Sequence, residues 1–174
     1  MDLLSIVLPA YNEEDSIAPL CAELAQVVYR LGNRWEVECI FVDDGSPDGT
    51  GELADQLAQA HPQVSVIHRA GKLGYGSAVI AGFRAALKGG YDWIVQMDAD
   101  LSHDPAAIPA ILQAAPDYDL VIGSRYVGGV RVIDWEMSRV LLSWMGPAWP
   151  RRCGPPWVSS RRTRASPPPS GPIR

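Results

Sequence analysis

Cysteine is scarce and unpaired in this 174-residue chain: Cys21, Cys39 and Cys153 are an odd number, with no CxxC among them. That spacing offers neither a disulfide framework nor a zinc site. Cys21 and Cys39 stand among apolar neighbours, as small core residues do, and the pattern suits a reducing compartment. Long apolar runs are missing as well. Nothing approaches the ~20 consecutive apolar residues of a membrane-spanning helix, and the N-terminus lacks the basic and apolar stretches of a signal peptide. The expectation is a cytoplasmic chain, soluble or peripheral on the cytoplasmic face of a membrane. There is no GxxxxGK[ST] phosphate loop and no internal repeat. Gly74-Tyr75-Gly76 lacks the third glycine of a dinucleotide fingerprint, because Val79 stands in its place.

Acid is absent from one region only. Residues 147–174 hold six Arg, eight Pro and no Asp or Glu, so the other 9 basic residues face all 20 acids and residues 1–146 carry a net charge of −11. An acidic body argues against nucleic acid as a partner. The Pro/Arg segment shows no period and too little apolar surface to offset its ordering entropy. It reads as a disordered tail behind a single domain spanning 1–146.

Within that domain, short apolar runs alternate with amphipathic stretches. Leu3–Leu8, Val37–Val42, Val64–His68, Trp93–Met97 and Leu120–Gly123 read as strands. Between them, Ile17, Leu20, Cys21, Leu24, Val27 and Val28 share a helical stripe, Leu53 and Leu57 mark a short helix, Val79, Ile80, Phe83 and Leu87 another, and Ile108, Ile111 and Leu112 a fourth. The alternation predicts an α/β fold, a mostly parallel sheet flanked by helices. Ligands bind such sheets beyond the carboxyl ends of the strands. Tyr11-Asn12-Glu13, Asp43-Asp44, His68-Arg69, Asp98-Ala99-Asp100 and Ser124-Arg125 each follow a strand, and are expected along one edge.

Asp98 and Asp100 in a turn after a buried strand make a hard-oxygen site for Mg²⁺ or Mn²⁺, which takes its other ligands from water and substrate phosphate. The alternative is that these acids merely cap the helix starting near Pro105. Asp43-Asp44 precedes the turn residues Gly45, Pro47 and Gly49, and one of the two acids can accept hydrogen bonds from a base or ribose. The Gly74–Ala78 segment faces phosphate through backbone N–H groups or simply packs as a turn. Arg125 suits phosphate by its bidentate fork, or is a lone surface Arg. His68 and His103 join no nucleophile constellation and read as ordinary polar residues, His103 at a helix entrance.

In order and spacing, Pro9-Ala10-Tyr11-Asn12-Glu13-Glu14, Val42-Asp43-Asp44-Gly45-Ser46-Pro47-Asp48-Gly49-Thr50, Gly74-Tyr75-Gly76-Ser77-Ala78, Met97-Asp98-Ala99-Asp100-Leu101-Ser102-His103 and Gly123-Ser124-Arg125-Tyr126-Val127 resemble the family 2, GT-A fold glycosyltransferases. Among these they look most like the dolichyl-phosphate (polyprenyl-phosphate) mannosyltransferases. The resemblance implies inverting transfer of mannose from GDP-mannose to a polyprenyl phosphate. Pro9, Tyr11, Glu13, Val42 and Asp44 would hold base and ribose. Asp98, Ala99 and Asp100 would hold ribose and the metal-bound diphosphate, with Asp98 and Asp100 on the ion and Asp100 its principal ligand. Arg125 would lie near the sugar phosphate and share the catalytic work with Asp100. Many members carry Gln where this chain has Ser102, a weaker ligand. The similarity runs to about Met145, where relatives continue into an acceptor-side segment, so the expectation is a shortened chain. UDP-glucose as donor and an inactive donor-binding fragment are the alternatives. Trp135–Trp144 is either an interfacial helix touching a membrane or a core helix.

Overall fold

The computed structural model describes residues 1–123. Four apolar runs form strands: β1 (Asp2–Ala10), β2 (Trp35–Asp43), β3 (Val64–His68) and β4 (Trp93–Gln96). They hydrogen-bond in the order β3-β2-β1-β4, and every pairing is parallel. The register sets the strand ends side by side: Ala10 lies opposite Asp43, and Asp43 opposite His68. β1 is central, which is why Leu4 through Ala10 are all buried and the run shows no polar alternation.

Four α-helices connect and follow the strands: α1 (Glu14–Leu31), α2 (Thr50–Ala60), α3 (Tyr75–Gly89) and α4 (Ile108–Ala114). One sheet face carries the large core. Leu4, Ile6, Leu8, Phe41 and Val95 meet Ile17, Leu20, Leu24 and Val27 of α1, with Ile108 and Leu112 of α4 alongside. Each such fully buried side chain contributes about 1.5–3 kcal/mol. The expected α1 stripe is therefore the one that packs.

The opposite face differs. There α3 lies on Val7, Ile40 and Val42 with its small residues, Ala78 and Ala86. At Gly82 an added Cβ would collide with Val7 Cγ1 and come within 3.2 Å of Val42 Cγ2. The helix sits too close to the sheet for large side chains between them. Consequently Ile80, Phe83 and Leu87, expected as a helix stripe, point outward.

The expected strand at Leu120–Gly123 is not formed. These residues make no ladder, and Leu120 and Ile122 are exposed. An apolar run becomes a strand only when a neighbouring edge takes its N–H and C=O groups, and none does here. The sheet among the described residues thus has four strands. The expected tail (147–174) and the Trp135–Trp144 helix lie outside the described residues.

Candidate functional site

The loop leaving β1 is stitched to the loop leaving β2. Asn12, in the left-handed region at φ 60°, donates its N–H to Ser46 Oγ at 3.1 Å, and Glu13 N–H donates to Thr50 Oγ1 at 2.8 Å. In return Gly49 N–H donates to Glu14 Oε2 at 3.2 Å. Pro9 and Val42 are paired in register and buried beneath this edge. Tyr11 stays half-buried, with Lys72 Nζ 3.8 Å from its ring centroid in a cation–π contact.

Asp44 is buried and fully engaged. It accepts Leu73 N–H at 3.1 Å and Gly74 N–H at 2.9 Å, and it forms an ion pair with Arg69. Arg69 also donates to Ser77 Oγ at 2.7 Å. These contacts draw residues 69–74 down onto the end of β2. The approach is so close that a Cβ on Gly45 would lie 2.5 Å from Gly71 Cα. With φ at +73° as well, position 45 demands glycine. Asp43 accepts Ser46 N–H at 3.0 Å and faces His68 Nδ1 at 3.4 Å, while His68 Nε2 meets Asp55 at 2.9 Å.

The end of β4 is more open. Asp98 Oδ1 accepts the Tyr75 hydroxyl at 2.6 Å and Gln96 Nε2 at 3.3 Å, and its N–H donates to His103 Nδ1 at 3.0 Å. Burial, followed by the bond to Asp98, pushes the Tyr75 phenol up to about 12, so it serves as a donor at neutral pH. Asp100 is exposed and accepts Ser102 N–H at 2.9 Å. Partial burial pushes the Asp100 carboxyl up, but the Ser102 hydroxyl and N–H and the nearby His103 outweigh this and hold it below the usual carboxylate value. Between them Leu101 adopts φ 61°, a conformation that a branched side chain rarely takes and that marks stored strain. The helical turn that follows is capped by Asp104, which accepts Ala106 N–H at 2.8 Å. Asp98 and Asp100 are therefore released from the capping role.

These groups share one acidic cleft. Burial raises the Glu13 carboxyl; the Ser16 hydroxyl offsets part of that, and the charges of Asp100, Asp48 and Asp98 raise it again. Such unneutralised negative charge is what a divalent cation relieves. No three Asp, Glu, His or Cys side chains among the described residues are grouped to enclose an ion. Two carboxylates, each with one oxygen that takes no hydrogen bond from the described residues, instead fit Mg²⁺ or Mn²⁺ completed by water and phosphate oxygens.

Of the expected residues, the cleft gathers Glu13, Asp98 and Asp100, and Pro9, Tyr11, Val42, Asp44 and Ala99 lie on the same sheet edge. Ala99 is buried under the acidic turn. Arg125 lies outside the described residues. The sequence names Arg69, Tyr75 and His103 within its clusters without a role for their side chains, and does not single out Lys72 or Gln96. The loop reaches the other clusters through the Leu73 and Gly74 N–H groups and through the Lys72 and Tyr75 side chains alike.

Comparison with known proteins bears on the family and the fold. The model for "Glycosyl transferase family 2" matches residues 5–159. An undecaprenyl-phosphate mannosyltransferase of Micrococcus luteus is 46% identical over 145 residues, covering 83% of this chain and 57% of that protein. A polyprenol monophosphomannose synthase of Mycolicibacterium smegmatis is 45% identical over 141 residues, covering 79% and 51%. A dolichol-phosphate mannosyltransferase of Pyrococcus furiosus is 40% identical over 141 residues, covering 80% and 38%. The chain thus spans about half the length of the curated relatives it matches. Among solved structures, the glucosyl-3-phosphoglycerate synthase of Mycobacterium tuberculosis with phosphoglyceric acid superposes with a TM-score of 0.52 at 28% identity, covering 84% of this chain and 51% of that one. Residues 1–349 of Staphylococcus aureus TarS share the fold at a TM-score of 0.51 and 20% identity, covering 67% and 33%.

Proposed function

The chain belongs to glycosyl transferase family 2, and from that premise we propose that it binds GDP-mannose with Mg²⁺ or Mn²⁺ for inverting transfer of mannose to a polyprenyl phosphate. The observation that carries this reading is the open acidic turn at the end of β4, with Asp100 exposed and Asp98 half-exposed beside Glu13. Names of relatives at 40–46% identity support the sugar and the lipid class.

On this reading Tyr11, Glu13 and the Pro9–Val42 floor hold the base and ribose. Asp98 and Asp100 hold the cation against the diphosphate, and Arg125 adds positive charge near the sugar phosphate. Asp44 supports the base side by fixing the loop over it, since its carboxylate is already occupied. The bound ion would neutralise the charge gathering on the departing diphosphate. An acceptor phosphate is anionic at neutral pH, so its oxygen attacks the anomeric carbon without a strong general base as the sugar–phosphate bond breaks. Contact with the membrane surface that carries such an acceptor belongs to the same proposal, as does a cytoplasmic location. No described helix is long and apolar enough to cross a membrane.

The test is calorimetric titration of GDP-mannose and UDP-glucose, each with and without Mn²⁺. Metal-dependent binding of GDP-mannose is expected; binding of UDP-glucose instead reassigns the donor, and binding of neither removes the proposal. The chain spans 38–57% of its relatives' length, so transfer, as distinct from donor binding, is a separate part of the proposal. Mannose incorporation into a lipid extract separates the two, comparing this chain with one extended by a relative's C-terminal part.

A further inference from the structure

The loop 69–75 touches three separate parts of the cleft. Its Leu73 and Gly74 N–H groups bind Asp44, its Lys72 covers the Tyr11 ring, and Tyr75, one residue after the Asp44 anchor, reaches Asp98. The Tyr75 hydroxyl sits in a defined relay: Gln96 Nε2 donates to it at 2.9 Å, and it donates to Asp98 Oδ1 at 2.6 Å. Gln96 also bonds Asp98 directly at 3.3 Å. Tyr75 is itself exposed and lies at the first turn of α3. Its ring therefore contributes little to the core, and the contact it is placed to make is polar.

We propose that Tyr75 is a positioning residue of the donor site, holding Asp98 Oδ1 so that Oδ2 would be available to the cation that accompanies the donor diphosphate. Groups that orient a ligating side chain tune metal affinity without touching the metal. With Oδ1 held by two donors, rotation of the carboxylate is restrained, and Oδ2, 3.6 Å from His103 Nδ1, takes no hydrogen bond from the described residues. Because Tyr75 is tied to Asp44 through a single intervening residue, the base side and the metal side of the cleft are held at one spacing. This inference rests on the donor-binding reading above.

The experiment is a comparison of the wild-type chain with Tyr75→Phe and Tyr75→Leu. The readouts are the Mn²⁺ concentration giving half-maximal thermal stabilisation by GDP-mannose, the affinity for GDP without metal, and the unfolding midpoint of the unliganded chain. Both variants are expected to need about tenfold more Mn²⁺, with metal-free GDP affinity and unliganded midpoint unchanged. Tyr75→Phe behaving as wild type overturns the inference, because the ring alone would then suffice. A wild-type chain whose binding to GDP-mannose ignores Mn²⁺ overturns the donor reading and, with it, the role drawn for Tyr75.

Discussion

Asp43-Asp44 and Asp98-Ala99-Asp100 look alike along the chain: paired acids closing a buried apolar strand. The fold uses them in opposite ways. Asp44 is 4% exposed and surrounded by two backbone N–H groups and a mostly buried guanidinium. Burying a carboxylate costs several kcal/mol unless it is paired and hydrogen-bonded, and here every element of that compensation is present. Asp98 and Asp100 remain in contact with solvent, and their donors leave oxygen edges uncovered. A carboxylate whose lone pairs are taken builds the site, whereas one with lone pairs to spare can bind in it.

The largest effect expected from this contrast is on stability. Asp44→Asn removes the ion pair and leaves Arg69 as an uncompensated, mostly buried charge, so unfolding in urea should lose about 3–5 kcal/mol. A variant with wild-type stability would place Asp44 in the binding class and erase the distinction. Asp100→Asn should do the reverse. Its exposed position predicts a stability change within about 0.5 kcal/mol. Metal-dependent GDP-mannose binding should weaken about 100-fold, close to 2.8 kcal/mol, as read by the calorimetry above. Equal losses of stability in both variants would break the comparison.

A smaller effect tests how closely the built side is packed. Gly45→Ala places a Cβ against Gly71 at a positive φ, which should cost about 1–3 kcal/mol and loosen the loop that Asp44 anchors. The unfolding midpoint and the metal-free GDP affinity should fall together. A silent substitution would mean that the loop has room to move.

Much of this contrast was legible in the sequence, and the part that was not has a physical reason. Strand runs, the parallel sheet and the convergence of acids on one edge follow from local patterns: Leu4–Ala10 must be doubly covered, and the residues after each strand must share an edge. The capping alternative for Asp98 and Asp100 was open until Asp104 proved to be the cap. What decides the fate of Asp44 is Arg69, 25 residues away, and the loop N–H groups at 73 and 74; no periodicity encodes that meeting. Tyr75 is likewise 23 residues from Asp98. The outward stripe of α3 was misleading for a similar reason. Hydrophobicity marks Ile80, Phe83 and Leu87, but the distance between helix and sheet, set by Val7 against Gly82, admits only small residues. Leu120–Gly123 has the composition of a strand, yet it pairs with neither outer strand of the sheet.

The smallest effect concerns Asp43, whose placement in the built class is the least secured by donors. Its second oxygen faces His68, which lies between Asp43 and Asp55 at 3.4 and 2.9 Å. An imidazolium satisfies both carboxylates, whereas a neutral ring can donate to only one. The bond to Asp55 raises the His68 pKa, partial burial opposes this, and Asp43 raises it further. A raised value in the folded state means that the protonated ring stabilises the fold. That contribution is complete below the unfolded value of about 6.5 and disappears as pH climbs through the higher folded value. His68 and Asp55 are about half exposed, so solvent screening limits the effect to about 0.5 kcal/mol or less. Unfolding midpoints should therefore decline slightly from pH 6 to above neutrality, and His68→Asn should flatten that decline without changing donor affinity. If instead the His68 titration moves GDP binding and leaves stability untouched, Asp43 belongs with Asp98 and Asp100, and the boundary between building and binding acids runs through the β2 pair rather than between the two strand ends.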